Sequence, residues 1–257
     1  MKFFFSLLKV GMRSAMSNRA SFIMQSSLMI LNNFIFFSIW WFFFRQFKTV
    51  GEWNFNDMLV LMSVGTGAYG LNQICFGGIR RLSRNIMDGD LDPYMTQPKN
   101  LLLHLAGSAS IVKGWGHLFT GLILLFNVKP LYIQSSILII LSMLCGAIVF
   151  SSMTVIAHSL AFWLGSIETV SKKYCDSLFL FILYPTNIYS GMMQLVMFTL
   201  IPAGVIGYIP VELLRGFTWI KLAWMLCSAS IFASLAFLIF YRGLKRYESG
   251  NQFGIRN

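Results

Sequence analysis

Long apolar stretches alternate with short polar segments along this chain. No ionisable residue occurs between Arg19 and Arg45, and phenylalanine, isoleucine and tryptophan recur throughout that stretch. The hydrocarbon core of a bilayer is about 30 Å thick, which an α-helix of roughly 20 apolar residues crosses. The pattern therefore predicts an all-α membrane protein.

Six transmembrane helices are predicted within one domain, residues 1–257. The stretch from Ser177 to Val211 carries no charge and is about 35 residues long, too long for one span and too short for two spans with a turn. Because Pro185, Pro202 and Pro210 interrupt helices, it predicts a fifth span followed by a re-entrant hairpin at 200–216. The other predicted spans are 20–44, 57–79, 108–128, 134–164 and 219–241.

The first residues have a different, amphipathic pattern. Lys2, Lys9 and Arg13 recur on one helical face, whereas Leu7 lies on the opposite face. Such a helix lies in the membrane interface rather than across the bilayer. Residues 1–19 are therefore predicted to form an interfacial helix, and its charges argue against a cleaved signal peptide.

Charge refines this picture. Hydrophobic residues make up 56% of the chain and charged residues 11%, against about 25% charged in ordinary soluble domains. A net charge of +11 would indicate nucleic acid binding in a soluble protein, but positive-inside topology explains it here, and no nucleic acid partner is expected. Most Lys and Arg residues lie in 1–19, 80–113, 165–176 and 242–257, which predicts that both termini are cytoplasmic.

Several kinds of chemistry are absent from the sequence. All nine acidic residues lie outside the predicted spans or at their ends, so no buried carboxylate is available for proton or sodium coupling. The three histidines are isolated, the four cysteines form no CxxC pair, and no nucleotide-binding phosphate loop occurs. We expect a chain that is not an enzyme, binds no metal or cofactor, and draws any energy for uphill transport from a partner.

Polar residues in the first two spans are the candidates for a translocation path. Amide side chains in hydrocarbon require partners, so they face protein or an aqueous route rather than lipid. Packing between helices is the commoner role for each residue taken singly. As a group, the candidate lining consists of Asn32, Asn33, Tyr69, Asn72 and Gln73.

The polar segment 80–100 is patterned beyond what a solvated basic loop needs. It begins as an amphipathic helix, stops at Asp88-Gly89-Asp90, and restarts with a proline in the first turn. Long ordered loops between spans are usually functional. We therefore favour a docking element, with the candidate residues Leu82, Ile86, Asp88, Gly89, Asp90, Leu91, Asp92, Pro93 and Pro98.

Two segments resemble the type 2 ATP-binding-cassette (ABC) exporter permeases, in particular their six-span bacterial branch. Residues 89–102 fit a pattern of Gly-x-Leu-Asp, then Pro, then Leu, and residues 184–216 contain Tyr-Pro, Ile-Pro, Tyr-x-Pro and Leu-Leu-x-Gly. The resemblance implies a permease of the bacterial inner membrane that pairs with a second permease subunit. It also implies two copies of a cytoplasmic ATPase subunit, which bind the ATP and magnesium.

The resemblance further implies roles for two regions. Residues 80–100 would couple to the ATPase, and the hairpin with Pro185, Pro202 and Pro210 would form an outer gate. A membrane scaffold or assembly factor without a transport path is the alternative, and a lipid-modifying membrane enzyme is a third possibility. The substrate stays open among amphipathic drugs, lipids, peptides and glycans, as do import against export and a homodimer against a heterodimer.

Overall fold

The computed structural model describes residues 2–130 and 132–247, apart from the side chains of Lys2 and Asn187. Helix accounts for 79% of the structure, and no strand occurs in the described residues, which confirms the predicted all-α class. The helices are α1 (Lys2–Ala15), α2 (Arg19–Gln46), α3 (Phe55–Cys75), α4 (Leu82–Asp88), α5 (Asp92–Met95), α6 (Leu101–Gly107), α7 (Lys113–Leu125), α8 (Ile133–Ser159), α9 (Ala161–Leu164), α10 (Glu168–Ile182), α11 (Met192–Phe198), α12 (Ile209–Arg215) and α13 (Trp219–Leu244).

Helix α1 packs against α6 through part of its apolar face. Its Phe4 and Leu7 side chains lie beside Gly107 of α6, where an added Cβ would come within 3.3 Å of either. Lys9 and Arg13 are exposed on the other side. The predicted place of the Lys2 side chain on that face, and the basic tail beyond residue 247, lie outside the described residues.

Within residues 2–130 and 132–247, three helices are long and apolar enough to cross a bilayer: α2, the continuous pair α8–α9 (Ile133–Leu164), and α13. Helix α3 passes the same test together with Gly77–Asp88, but the chain bends by 72° between them. The helices therefore supply three or four crossings by length and composition, against six predicted from hydropathy.

The predicted third span is shorter than expected. Residues 108–128 contain α7, whose 13 residues extend only about 20 Å. The chain before α7 is not helical because it packs against the end of α3, where the Ile111 amide donates to the Gln73 carbonyl at 3.0 Å. An added Cβ on Gly77 would lie 2.8 Å from the Ala109 carbonyl oxygen, so this contact is backbone to backbone.

Residues 168–176, which lie between the predicted fourth and fifth spans, form the first part of α10. Glu168 and Lys172 form an (i, i+4) ion pair, and the Ser171 hydroxyl donates to the Ala157 carbonyl at 2.9 Å. The polar side chains here form contacts at the first turns of the helix and do not interrupt it. Helix α10 ends at Ile182, ahead of Pro185, as the proline predicts.

Broken helices follow α10. A 3₁₀-helix at Thr186–Ile188, α11, a π-helix at Gly204–Tyr208 and α12 succeed one another. The predicted hairpin falls in this region, whose helices are all shorter than a membrane span.

Helix α3 is the centre of the bundle. Nearly all of its residues are buried, and glycines bring α7 close to it. An added Cβ on Gly70 would lie 2.5 Å from the Leu118 amide nitrogen, and one on Gly121 would lie 2.7 Å from the Gly67 nitrogen. By contrast, only 17% of the most apolar window of α2, and likewise of α13, is buried. These two helices therefore expose apolar faces to lipid or to another subunit.

Candidate functional site

A cavity of about 480 Å³ lies at the end of the bundle where residues 80–100 begin, called here the loop end. Side chains from α2, α3, α7 and α10 line it together with the segment that follows α3. Phe179 and Leu180 contribute apolar surface. Its polar lining consists of Asn32, Tyr69, Gln73, Arg80, Lys113, His117 and Asp176.

Three of the five predicted path residues line this cavity. Asn32 is exposed on α2, while Tyr69 and Gln73 are buried on α3. The Gln73 Oε1 atom is buried and accepts no hydrogen bond in the described structure. A buried acceptor without a partner is costly, so Gln73 is suited to binding a donor that enters the cavity.

The other two predicted path residues connect helices. Asn33 is buried, with its Nδ2 lying 3.1 Å from His117 Nδ1 and donating to Thr120 Oγ1 at 3.2 Å. Asn72 donates to Ser151 Oγ at 2.8 Å. Their amides are satisfied between α2 and α7 and between α3 and α8, which is the packing role that each residue alone indicated.

Arg80 joins the walls of the cavity. Its Nη2 donates to Asp176 Oδ1 at 2.8 Å, and its Nη1 donates to the Tyr69 hydroxyl at 3.3 Å. The Tyr69 hydroxyl donates in turn to Asp176 Oδ1 at 3.1 Å, and its ring stacks on Phe179 with centroids 4.3 Å apart. One side chain after the end of α3 thus links α3 to α10.

The roles of Arg80 and Asp176 are not visible in the sequence pattern. Arg80 belongs to the basic segment 80–100, and Asp176 is one of nine acidic residues outside the predicted spans or at their ends. The sequence offers only a weak signal of this pair, namely opposite charges at the ends of two predicted spans. Because 95 residues separate Arg80 from Asp176, their pairing depends on how the helices pack.

Three predicted docking residues are buried within the protein. Leu82 is 1% exposed, Ile86 5% and Leu91 0%, and all three belong to a cluster that includes Phe162 of α9 and Phe240 of α13. A partner cannot reach them in this structure. They fasten the 80–100 segment to α9 and α13 instead of forming its outer surface.

The remaining docking candidates lie at the surface. Asp88, Asp90, Pro93 and Pro98 are exposed. Gly89 has φ +78°, the left-handed conformation that favours glycine, and the Asp90 amide after it donates to the Asn85 carbonyl at 2.9 Å. Gly89 therefore ends α4 and turns the chain toward α5, as the sequence predicts.

Asp92 makes an internal contact. The Tyr247 hydroxyl, just beyond the end of α13, donates to Asp92 Oδ1 at 2.9 Å. Burial and the nearby Asp92 carboxylate raise the pKa of Tyr247 to about 12, so the hydroxyl stays protonated and able to donate. Asp92 thus ties the 80–100 segment to the end of α13.

At the other end of the bundle, called here the clamp end, α12 is held against the start of α3. Arg215 donates from Nη2 to Asp57 Oδ2 at 2.7 Å and from Nε to Asp57 Oδ1 at 3.2 Å. It also donates to the Glu52 carbonyl at 2.7 Å and to Glu212 Oε1 at 2.9 Å. The guanidinium lies 5.4 Å from the Trp53 ring.

Comparison with sequence profiles of known families identifies the family of this chain. A family profile described as ABC-2 family transporter protein matches residues 28–251. The chain belongs to the ABC-2 family of transporter proteins. No curated protein and no solved structure matches it. Membership identifies a multi-pass membrane component of an ABC transporter, a family in which the ATPase is a partner subunit.

The predicted gate prolines of this ABC-2 chain lie among the short helices that follow α10. Pro185 precedes the 3₁₀-helix at Thr186–Ile188, Pro202 stands shortly before the π-helix, and Pro210 lies in the first turn of α12. All three are buried. Pro185 and Pro202 stand at the predicted helix breaks, whereas no break occurs at Pro210, because the π-helix runs directly into α12 with helical backbone at Tyr208 and Ile209.

Metal-binding geometry does not occur in the described part of this ABC-2 chain. Residues 2–130 and 132–247 contain no group of three His, Cys, Asp or Glu side chains placed to hold a metal ion. His117 and His158 instead lie within hydrogen-bonding distance of Asn33 and Ser83.

Proposed function

We propose that this chain is the permease half of an ABC exporter for an amphipathic substrate. It pairs with a second permease subunit, identical or paralogous, and is driven by two copies of a cytoplasmic ATPase that bind ATP and Mg²⁺. The observation that carries this proposal is Arg80, which connects the 80–100 segment to the wall of the loop-end cavity.

The first step is docking of the ATPase on the exposed part of the 80–100 segment. Asp88, Asp90, Pro93 and Pro98 supply that surface, and two aspartates suit a basic groove on the partner. The buried Leu82, together with Ile86 and Leu91, joins the segment to α9 and α13. Displacement of the docked surface is therefore transmitted to these helices because packed interiors are not compressible.

The second step is movement of Arg80 relative to α10. The Arg80–Asp176 pair rests on one hydrogen bond, and 57% of the Asp176 side chain is exposed. The Arg80 side chain is only 18% exposed, so the pair is half-buried, and it opens at less cost than a fully buried pair because solvent reaches the Asp176 carboxylate. Its release separates α3 from α10 and widens the cavity between them.

The cavity lining fits an amphipathic substrate. Phe179 and the Tyr69 ring offer aromatic surface, while Gln73, Asn32 and Lys113 offer donors and an unpaired acceptor. Pockets of this mixed character orient a ligand by a few polar contacts and bind it by apolar burial. The cavity also favours a transport protein over a scaffold, which needs no such space.

The membrane arrangement belongs to the same proposal. Six crossings require that α7 and α10, with the irregular chain beside them, serve as the third and fifth spans. The region 200–216 then forms the re-entrant hairpin, and Pro185, Pro202 and Pro210 form the outer gate. The excess of Lys and Arg at the loop end supports cytoplasmic termini in the bacterial inner membrane, and the cavity then opens toward the cytoplasm, which favours export.

Charge reversal tests the docking step. The variant Asp88→Lys/Asp90→Lys should reduce co-purification of the ATPase from mild detergent by about tenfold, because repulsion replaces attraction at the contact. Glu52→Lys, an exposed carboxylate at the clamp end, is the matched control and should leave recovery unchanged. Equal recovery of the ATPase with all three forms would contradict the docking proposal.

Reconstitution tests the energy source. The permease alone in liposomes should move no substrate, whereas the complex with its ATPase should do so in the presence of ATP and Mg²⁺. Substrate movement by the isolated chain under a proton or sodium gradient would overturn the proposal.

A further inference from the structure

A second cavity, of about 700 Å³, lies at the clamp end between α2, the start of α3 and the end of α7. The residues that line it are separate from those of the loop-end cavity. Its lining combines an aromatic wall, two lysines and three asparagines, and the proposed transport mechanism uses none of them.

The wall is a row of aromatic side chains on α2. Phe34, Phe37 and Trp41 are spaced three and four residues apart and so share one helical face. Phe37 also packs against Phe55 of α3, with ring centroids 5.9 Å apart. The Arg45 guanidinium lies 4.2 Å from the Trp41 ring. Because α2 is largely unburied, this wall is continuous with surface that faces the hydrocarbon of the bilayer.

The mouth of the cavity is positively charged. Lys48 and Lys129 line it, both are exposed, and neither forms an ion pair within residues 2–130 and 132–247. The carboxylates of this end that do form ion pairs, Asp57 and Glu212, are held by Arg215. The exposed Glu52 is the remaining carboxylate among the described residues of this end, and Arg45 lies there as well, so the two lysines leave an excess of positive charge at the edge of an aromatic cavity.

Amide donors complete the mouth. The Asn56 side-chain oxygen accepts from the Lys129 amide at 2.8 Å, and the Asn54 side-chain oxygen accepts from the Asp57 amide at 3.0 Å. Both bonds use the oxygen, so the Nδ2 groups, which can only donate, are left for a ligand with acceptor oxygens. Asn127 adds a third amide to the lining, but its Nδ2 already donates to the Ile123 carbonyl at 2.8 Å, so Asn54 and Asn56 are the principal donors.

We propose that this cavity binds an anionic phospholipid from the membrane leaflet at the clamp end. The phosphate is held by Lys48 and Lys129 and by the asparagine donors, and an acyl chain lies along Phe34 and Phe37. A soluble anion would use the lysines alone, whereas a lipid uses both the charge and the aromatic wall. A basic side chain near an anionic headgroup strengthens binding about fivefold. This assignment is independent of the direction and substrate of transport.

Native mass spectrometry of the purified chain tests the site with defined lipids. Phosphatidylglycerol should bind at least tenfold more tightly than phosphatidylcholine with the same acyl chains. The variant Lys48→Gln/Lys129→Gln should lose on the order of twentyfold in phosphatidylglycerol affinity and a much smaller factor in affinity for the zwitterionic phosphatidylcholine, so that the preference between the two lipids disappears. Lys48→Arg/Lys129→Arg should retain the preference, and so should the control Lys173→Gln/Lys245→Gln, which removes two charges at the loop end.

Two measurements on the unmodified protein do not depend on the folding of a variant. Dihexanoyl phosphatidylglycerol should bind more weakly than the long-chain lipid, because it covers less of the aromatic wall. Inorganic phosphate at millimolar concentration should fail to displace the long-chain lipid. Displacement by phosphate, equal binding of the two headgroups, or unchanged affinity in the Lys48→Gln/Lys129→Gln variant would overturn the assignment.

Discussion

An arginine–aspartate pair ties neighbouring helices together at each end of the bundle, and the two pairs are built differently. At the clamp end, Arg215 grips Asp57 through two nitrogen–oxygen contacts, and the Asp57 side chain is 7% exposed. At the loop end, Arg80 contacts Asp176 through one oxygen, and the Asp176 side chain is 57% exposed. The two arginines are similarly buried, with side chains 25% exposed for Arg215 and 18% for Arg80, so the difference lies in the carboxylates. Loss of the partner of a buried carboxylate costs about 3–5 kcal/mol, whereas a pair whose carboxylate is open to solvent contributes less, toward the roughly 0–1 kcal/mol of exposed pairs.

This difference assigns a fixed end and a releasable end to α3. At the clamp end the helix begins with a capping box between Asn54 and Asp57, so Asp57 serves the helix start and the ion pair at once. At the loop end the chain bends by 72° and continues into the 80–100 segment. Force applied to that segment therefore acts first on the weaker contact.

The largest effect is expected from breaking the clamp. Arg215→Leu leaves the Asp57 carboxylate buried without its partner, so we expect the free energy of unfolding to fall by about 3 kcal/mol. Thermal and denaturant unfolding in detergent measure this. Asp57→Asn added to Arg215→Leu should restore part of the lost stability because it removes the unpaired charge. An unchanged melting temperature for Arg215→Leu would contradict the stronger pairing proposed at the clamp end.

A smaller effect on stability is expected from the loop-end pair. Asp176→Asn should lower the free energy of unfolding by less than about 1 kcal/mol. Hydrogen–deuterium exchange should nevertheless rise in α10, because Arg80 no longer holds that helix to α3. Lys173→Gln, an exposed change on the same helix, is the control. Exchange in α10 that is equal in both variants would show that the pair does not hold the helices together.

Glu212 should matter less than Asp57 although it contacts the same arginine. Glu212→Gln removes a partly exposed carboxylate, while the Lys221 ammonium keeps its bonds to the carbonyls of Glu212 and Gly216 at 2.9 and 3.2 Å. We expect a loss of about 0.5 kcal/mol or less in denaturant unfolding. A loss of stability as large as that of Arg215→Leu would show that Glu212, and not Asp57, is the main partner of Arg215.

The smallest effect is a pH response at the loop end. His104 lies between the rings of Phe3 and Tyr94, with centroids 5.1 and 4.8 Å away. Burial, together with the nearby Lys99, lowers the pKa of His104 below its usual 6.5. The unfolded chain then binds this proton more readily, so stability should be complete above pH 6.5 and decrease as the pH falls below it.

Exchange measurements test this response. Hydrogen–deuterium exchange in α1 and α6 should rise between pH 7.5 and pH 5.5, after correction for the intrinsic pH dependence of exchange. His104→Gln should reduce that rise, because glutamine does not titrate in this range. A rise of the same size in the variant would assign the response to other groups.

The sequence alone determined the class of the protein and the backbone breaks of its functional segments. Hydropathy over windows of about 20 residues decides membrane insertion locally, so α2, α8 and α13 were predicted near their observed bounds. Gly89 and Pro93 constrain their own φ angles, so the end of α4 and the start of α5 were predicted as well. The Gly-x-Leu-Asp and proline motifs indicated the family.

Tertiary structure decided which side chains face which neighbour. Asn32 and Asn33 are adjacent, yet one lines the loop-end cavity and the other bonds to α7, because a rotation of one residue changes the helix face. Asp57 and Arg215 are 158 positions apart, and no periodicity within one segment encodes such a pairing. The burial of Leu82 likewise depends on where α9 and α13 pack, so only the assembled bundle separates the residues that hold the 80–100 segment from those left for a partner.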